Sequence, residues 1–424
     1  MRTAFCLSNI AKNRSASALM DSSMRTVADS SPAIQARGLS ESAEAPSGPL
    51  IFLLATTAGL VVMNIYYNQP VLSAIAGSLH VTSAAAAWVS TITQLGYATG
   101  LLFLLPIGDS VDRKPLIALI TLLSSLALIA IPLSPNLAVM LLSSFGLGFT
   151  SVAPQLVVPY AASLVTGPGR GKVVGLVMSG LLIGILFSRS LSGFIANRLS
   201  WHTVFWLAAG VMLLLSGVLW IALPSQPPRG TISYGRLLRS LPQLLKSEPI
   251  IRRHSAIGAL AFGAFGAFWT TLAFYLHSRP EHYGSDVTGM FGLVAITGAL
   301  VAPLAGHLAE NRNPRQINWF FLILVLLAFV TMLFSDQYTL LVLGAGVLLL
   351  DAGVQGNQIA NQTRIYSLER SLHSRINSVY MVIYFLGGAF GSLIGAQAWA
   401  LAGWPGVCCS GIVLTVAALV VVWV

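Results

Sequence analysis

PSQPPRGTISYGRLLRSLPQLLKSEPIIR, residues 224–252, is the longest polar break after position 48, and what flanks it decides the fold. On both sides the chain is a series of apolar runs with brief polar breaks. A bilayer core about 30 Å thick takes about 20 mostly apolar residues per helix. Runs at 50–68, 84–106, 115–134, 137–165, 172–195 and 203–223 precede the break, and runs at 253–276, 286–308, 316–334, 338–360, 374–399 and 404–424 follow it. The break thus divides twelve expected membrane spans, numbered in chain order, six and six. Composition agrees: 55% of the 424 residues are hydrophobic and 8% charged, against about a quarter charged in a soluble domain. A water-soluble fold is excluded. Within the break, Tyr234 to Lys246 reads as a basic amphipathic helix lying on the lipid surface.

The formal charge of +10 would point to nucleic acid on a soluble protein, but here the charges are sorted by side. If the N-terminal tail is cytoplasmic, the tail and the breaks after even-numbered spans hold 20 of the 23 Lys and Arg, among them Arg113, Lys114, Arg170, Lys172, Arg312, Arg315, Arg364, Arg370 and Arg375. The other side has Arg198 and Arg279, and Arg189 lies inside a span. That asymmetry follows the positive-inside rule. It places both termini in the cytoplasm of a bacterial-type inner, or plasma, membrane, and nucleic acid is not an expected partner. Residues 1–48 read as a disordered cytoplasmic tail; an Arg- and Ser-rich targeting segment, or a true start at Met20 or Met24, are the alternatives.

Three cysteines, Cys6, Cys408 and Cys409, supply no disulfide framework and no metal spacing. The chain contains no phosphate-loop pattern, no His-Glu-x-x-His and no Gly-x-Ser-x-Gly. An enzyme, a metal site and a cofactor are therefore not expected. The histidines, His80, His202, His254, His277 and His307 among them, are expected at solvated positions near span ends.

The two halves repeat each other. At an offset of 203, Gln155 matches Gln358, Lys172 matches Arg375, Gly184 matches Gly387, and Trp201 matches Trp404. At 198, Gly100 matches Gly298, Gly108 matches Gly306 and Asp112 matches Glu310. An even number of spans per half makes this a parallel repeat about an axis along the membrane normal. Expected domains are the tail 1–48, a six-helix bundle 49–223, a cytoplasmic linker 224–252 and a second bundle 253–424.

The turn between the second and third spans reads Gly108-Asp109-Ser110-Val111-Asp112-Arg113-Lys114-Pro115. It resembles the loop signature of the major facilitator superfamily of secondary transporters, and Gly306-x3-Glu310 resembles a worn second copy. The family pattern has a Gly and a further basic residue where this chain has Pro115 and Leu116. The resemblance implies that Gly108, Asp112, Arg113, Gly306 and Glu310 belong to gating loops. It covers about 50–424, with 94–116 and 362–398 similar to bacterial drug-efflux and sugar-efflux permeases. Gly171, Gly180 and Gly184 match the spacing of the family's antiporter motif, which here runs on to Ile185 and Ser188-Arg189 instead of its Pro and Gly-Gly. The stripes Gly180, Gly184, Ser188, Ser192 and Gly387, Gly391, Gly395 allow close helix approach, as a static packing or a sliding contact.

Two charges inside spans are costly enough to suggest a role. Arg189, in the fifth span, could hold an anionic or carbonyl group of a substrate, pair structurally, or reach toward the interface. Asp351, in the tenth, is the one carboxylate well within a span. Removal from water favours the neutral form of a carboxyl, so it is the candidate proton-coupling residue; a structural partner for a basic group is the alternative. The two lie at different estimated depths, and no direct pair is expected. Tyr66 and Tyr67 could instead mark the interface belt.

In the resembled fold the first, fourth, seventh and tenth spans line a central cavity. Asn64, Tyr67, Asn68, Gln155, Arg189, Trp269, Gln355, Gln358, Asn361, Gln362, Tyr380 and Tyr384 are the candidate substrate-cavity residues. The expectation is an all-α membrane protein, twelve transmembrane helices in two pseudo-symmetric six-helix bundles. It would export a small apolar or neutral molecule in exchange for protons, as a monomer whose partners are substrate, protons and the lipid bilayer. A uniporter or proton symporter for a sugar or metabolite, and a membrane sensor that transports nothing, are the alternatives.

Overall fold

The computed structural model describes residues 47–165, 169–226, 234–295, 301, 305–308, 313–335, 339–368 and 373–423. Most of the expected tail, together with Glu310, lies outside them. Among the described residues nine helical segments are long and apolar enough to cross a membrane. The segment Arg375–Trp423 contains two of the twelve spans, and Gly48–Met63 and Ser285–Val294 are shorter apolar helices at the first and eighth positions. The fold is the twelve-helix bundle.

Local chemistry sets where the spans start and stop. The second, Ser83–Ser110, is capped by the Thr82 hydroxyl, which accepts from the Ala85 amide at 3.2 Å. The third, Arg113–Ala130, is capped by Asp112 and the sixth, Trp201–Ala222, by Ser200. The fourth is two helices, Leu137–Thr150 and Ala153–Ser163. Pro154, which lacks an amide proton and crowds the preceding turn, sits in the first turn of the second piece. The last two spans run on as His373–Trp423, broken by Gly403 at φ 61°. A left-handed residue there suits glycine.

The first span ends earlier than its hydropathy suggests. The helix Gly48–Met63 gives way to turns through Asn68, then a short 3-10 helix Gln69–Val71 and the helix Leu72–Ser78. Pro70, in the first turn of the 3-10 helix, has no amide proton to carry an α-helix through this point. Irregular backbone at this depth is tolerated because it is buried in protein: the Ser192 hydroxyl donates to the Tyr67 carbonyl at 2.6 Å.

The glycine stripes pack within each half rather than between them. Gly180 and Gly184 face Ala55 and Gly59 of the first span, while Gly387 and Gly391 face Ala259 and Gly263 of the seventh. A Cβ on Gly59 would lie 2.7 Å from the Gly180 carbonyl oxygen, and one on Gly263 would lie 3.0 Å from that of Gly387. The same crossing is thus built twice.

The linker helix Tyr234–Ser247 corrects an expectation. Its leucines Leu237, Leu241 and Leu244 are buried by protein, against the second, seventh and eleventh spans, while Arg236, Arg239 and Lys246 face outward. Its apolar face covers protein rather than lipid because the Tyr234 hydroxyl, donating to the Phe103 carbonyl at 3.1 Å, ties its start to the second span.

Candidate functional site

The two halves meet on the face away from the Asp112 turn. Gln94 donates to the Ser392 hydroxyl at 3.1 Å, and the Thr270 hydroxyl donates to Ser392 at 3.0 Å and to Ser90 at 3.2 Å. The Ser190 hydroxyl donates to the Gly289 carbonyl at 2.9 Å, where the fifth and eighth spans cross. Tyr97 and Phe385 bring their rings to 4.3 Å.

Beside this seam lies Arg189. Its side chain is 1% exposed, and its Nε donates to the Gln69 side-chain oxygen Oε1 at 2.7 Å. The guanidinium sits 4.0 Å from the Trp269 ring centroid, 4.6 Å from that of Tyr66 and 5.5 Å from that of Phe265. Gln69 and Tyr66 come from the first half of the chain, Trp269 and Phe265 from the second. A desolvated cation over aromatic faces is worth about 2 kcal/mol. The Arg189 Nη2 has no hydrogen-bond partner. Tyr66 is buried beneath the guanidinium, which removes it from the interface belt.

Asp351 is 3% exposed, and its Oδ2 has no hydrogen-bond partner. Between described residues the one ion pair is Arg113 to Asp109, 3.0 Å, so Arg189 and Asp351 are not in direct contact. They are close enough to act on each other through space, and Tyr66 and Tyr384 also lie within reach of the Asp351 charge.

Other expected site residues fall into four groups. Asn64 is buried with neither amide atom bonded, Asn68 donates to Thr93 at 3.1 Å, and Tyr67 and Trp269 are buried; the Trp269 Nε1 is unpartnered. Tyr384 stacks on Phe262 at 4.1 Å, lies 5.8 Å from the Tyr380 ring, and donates to the Gln358 side chain at 3.2 Å. Gln155 and Gln355 are half-buried, and Gln362 donates to the Met381 sulfur at 3.9 Å. Asn361 belongs to a separate amide ladder in the second half. It donates to Asn357 at 2.9 Å, accepts from Asn318 at 3.1 Å, and lies 2.8 Å from the His254 Nδ1. His254, expected in solvent, is 8% exposed because this ladder takes it up.

The Asp112 turn is a knot of hydrogen bonds. Arg113 donates to the Gly108 carbonyl at 3.0 Å and pairs with Asp109. Asp112 accepts from the Lys114 amide at 2.9 Å, from the Gln226 amide at 3.3 Å and from the Ser225 hydroxyl. Partial burial works against its charge, but the bonds from Ser225, Lys114 and Gln226 prevail and hold its carboxyl below the ordinary value of 3.8. The Tyr160 hydroxyl donates to the Pro224 carbonyl at 2.6 Å, and Ser163 to the Gln226 side chain at 2.7 Å. The turn therefore clamps the start of the linker to the second, third and fourth spans. Among the described residues nothing lies within 4 Å of where a Cβ on Gly306 would be.

Sequence reading passed over Gln94, Ser90, Thr270, Asn318, Phe262 and Phe265. The polar four stood out as hydrogen-bonding groups inside apolar runs. The two phenylalanines carried no signal, since phenylalanine is equally at home against lipid. No group of three metal-binding side chains occurs among the described residues.

The model of the Major Facilitator Superfamily matches residues 54–396. An Escherichia coli O157:H7 protein named uncharacterized transporter YgaY is 41% identical over 377 residues, covering 89% of this chain and 95% of its own. The probable transporter SCO4007 of Streptomyces coelicolor is 31% identical, covering 87% and 86%. A probable sugar efflux transporter of Helicobacter pylori is 25% identical, covering 82% and 87%. Among solved structures, the bacterial homolog of the human lysosomal transporter Spinster, inward-facing and unoccupied, superposes with a TM-score of 0.67 at 14% identity, covering 89% of this chain and 95% of its own. Twelve spans, a family model across most of their length and relatives of matching length lead to one conclusion: this chain belongs to the Major Facilitator Superfamily of multi-pass membrane transporters.

Proposed function

We propose that the chain is a secondary active transporter that exports a small apolar or neutral molecule in exchange for protons. The observation that carries the reading is Asp351, a buried carboxyl with an unpartnered oxygen in the field of Arg189 from the other half. A carboxyl so enclosed exchanges its proton only when movement of the halves opens a path to it, so protonation and conformation are linked. The basic loops put the Asp112 face and both termini in the cytoplasm of the inner membrane. The seam near Arg189 then lies on the outer side, which supports a substrate path that opens inward between the halves.

The unpartnered amide of Asn64, the unpartnered Oδ1 of Asn68 and the faces of Phe262, Tyr384 and Trp269 support a ligand without net charge. Amides satisfy hydroxyl and carbonyl groups while aromatic faces cover apolar ones. The Helicobacter pylori relatives, named for sugar efflux, are in keeping with a neutral substrate. A compound-sensitivity screen of cells with and without the protein, followed by uptake of each hit into everted vesicles with an imposed pH gradient, tests this. Uptake that rises with the gradient and collapses with a protonophore is expected. Hits taken up equally with and without the gradient would leave facilitated diffusion instead.

A further inference from the structure

On the Asp112 face of the second half, a cleft of about 290 Å³ opens where the seventh and ninth spans begin and the tenth and twelfth end. Arg253, Arg315 and Arg364 line it, with His254 and Asn318, and no carboxylate is among its described lining residues. Arg253 and Arg315 are close enough to repel each other, and His254 feels both Arg253 and Arg364. Three like charges around one cleft raise the free energy of the protein unless an anion joins them. The ninth span, Pro314–Met332, starts at its rim, so a helix N-terminus adds positive potential there.

The cleft is also built to last. His254 and Asn318, both buried, are held by the Asn361 ladder, and Arg253 is anchored to the Val422 carbonyl. Ile257 gives it an apolar wall on the membrane side. Arg315 and Arg364 are exposed at its rim. Forked guanidinium donors match phosphate oxygens in pairs.

We propose that this cleft binds a phosphate-bearing anion, supplied by the headgroup of an acidic phospholipid or by a free phosphate compound. The test measures thermal unfolding of the full chain in neutral detergent during titration with inorganic phosphate, with phosphatidylglycerol, or with phosphatidylcholine as control. It is repeated on the double variant Arg315→Gln, Arg364→Gln, whose side chains are exposed and carry no packing. A saturable rise with phosphatidylglycerol but not phosphatidylcholine, weakened at least tenfold in apparent affinity by the double variant, supports the site with lipid as source. A saturable rise with inorganic phosphate, weakened likewise, supports it with a soluble source. Equal responses to the two lipids without any response to phosphate, responses unchanged in the double variant, or no saturable response at all would overturn it.

Discussion

The Arg189 guanidinium lies 4.0 Å from the Trp269 ring centroid, and these two residues belong to opposite halves of the chain. The charge is bonded to Gln69 in its own half and stacked on Trp269 and Phe265 in the other. It is therefore a bond that must break whenever this face opens.

Replacing Trp269 by leucine removes the best of those aromatic faces while keeping an apolar side chain. A loss of about 2 kcal/mol corresponds to a shift of about thirtyfold in the ratio of closed to open states. Spin labels at the exposed positions Ser78 and Glu281, in a chain without Cys6, Cys408 and Cys409, read this as growth of the longer distance. An unchanged distance distribution would mean that Arg189 does not hold the seam.

Asp112 gives a pH signature. Its folded-state carboxyl is held below the ordinary 3.8, so the unfolded chain takes up the proton first as pH falls. The stability it contributes is complete above about pH 5 and is lost as pH drops through the ordinary value toward the depressed one. Asp112→Ala should destabilise the protein at pH 7 by about 1 kcal/mol through the lost cap, lowering its melting temperature, and should flatten the acid limb. Parallel acid limbs for the two proteins would contradict the assignment.

Gly59→Val should be severely destabilising, because its Cβ would sit 2.7 Å from the Gly180 carbonyl. Gly171→Ala, with nothing within 4 Å, should be neutral or stabilising by about 0.5–1 kcal/mol. Detergent melting curves compare them directly. Equal tolerance at both positions would show that the first and fifth spans are not in contact.

Asn361→Leu should leave His254 and Asn318 short of a partner in a buried ladder, at about 1–3 kcal/mol for each group unsatisfied. Melting in neutral detergent should fall accordingly, whereas Gln362→Leu, whose recorded bond is a 3.9 Å contact with sulfur, should fall much less.

Much of the architecture is legible in the chain because lipid imposes a length and a polarity on every span. The apolar runs give twelve helices, and the loop Gly108 to Pro115 names the family. What the runs hide is how a span behaves once it is buried in protein. Pro70 and Pro154 break the first and fourth spans inside apolar sequence, and a hydropathy pattern is blind to that. The linker helix shows the same limit. Its leucines predict an apolar face without saying whether lipid or protein covers it. At the site, Arg189 and Asp351 stand out as charges among apolar neighbours, but their partners do not. Phe265 looks like any lipid-facing residue, and His254 looks like a span-end histidine until the ninth and tenth spans place Asn318 and Asn361 beside it.

The central claim is that Asp351 carries the exchanged proton. Purified wild-type and Asp351→Asn protein in proteoliposomes, loaded with a substrate from the sensitivity screen, allow proton movement and substrate counterflow to be followed together. The account predicts that the wild type moves protons against the substrate gradient, while Asp351→Asn keeps counterflow within a few-fold and moves no protons. Proton movement undiminished in Asp351→Asn, or absent from an actively transporting wild type, would contradict it.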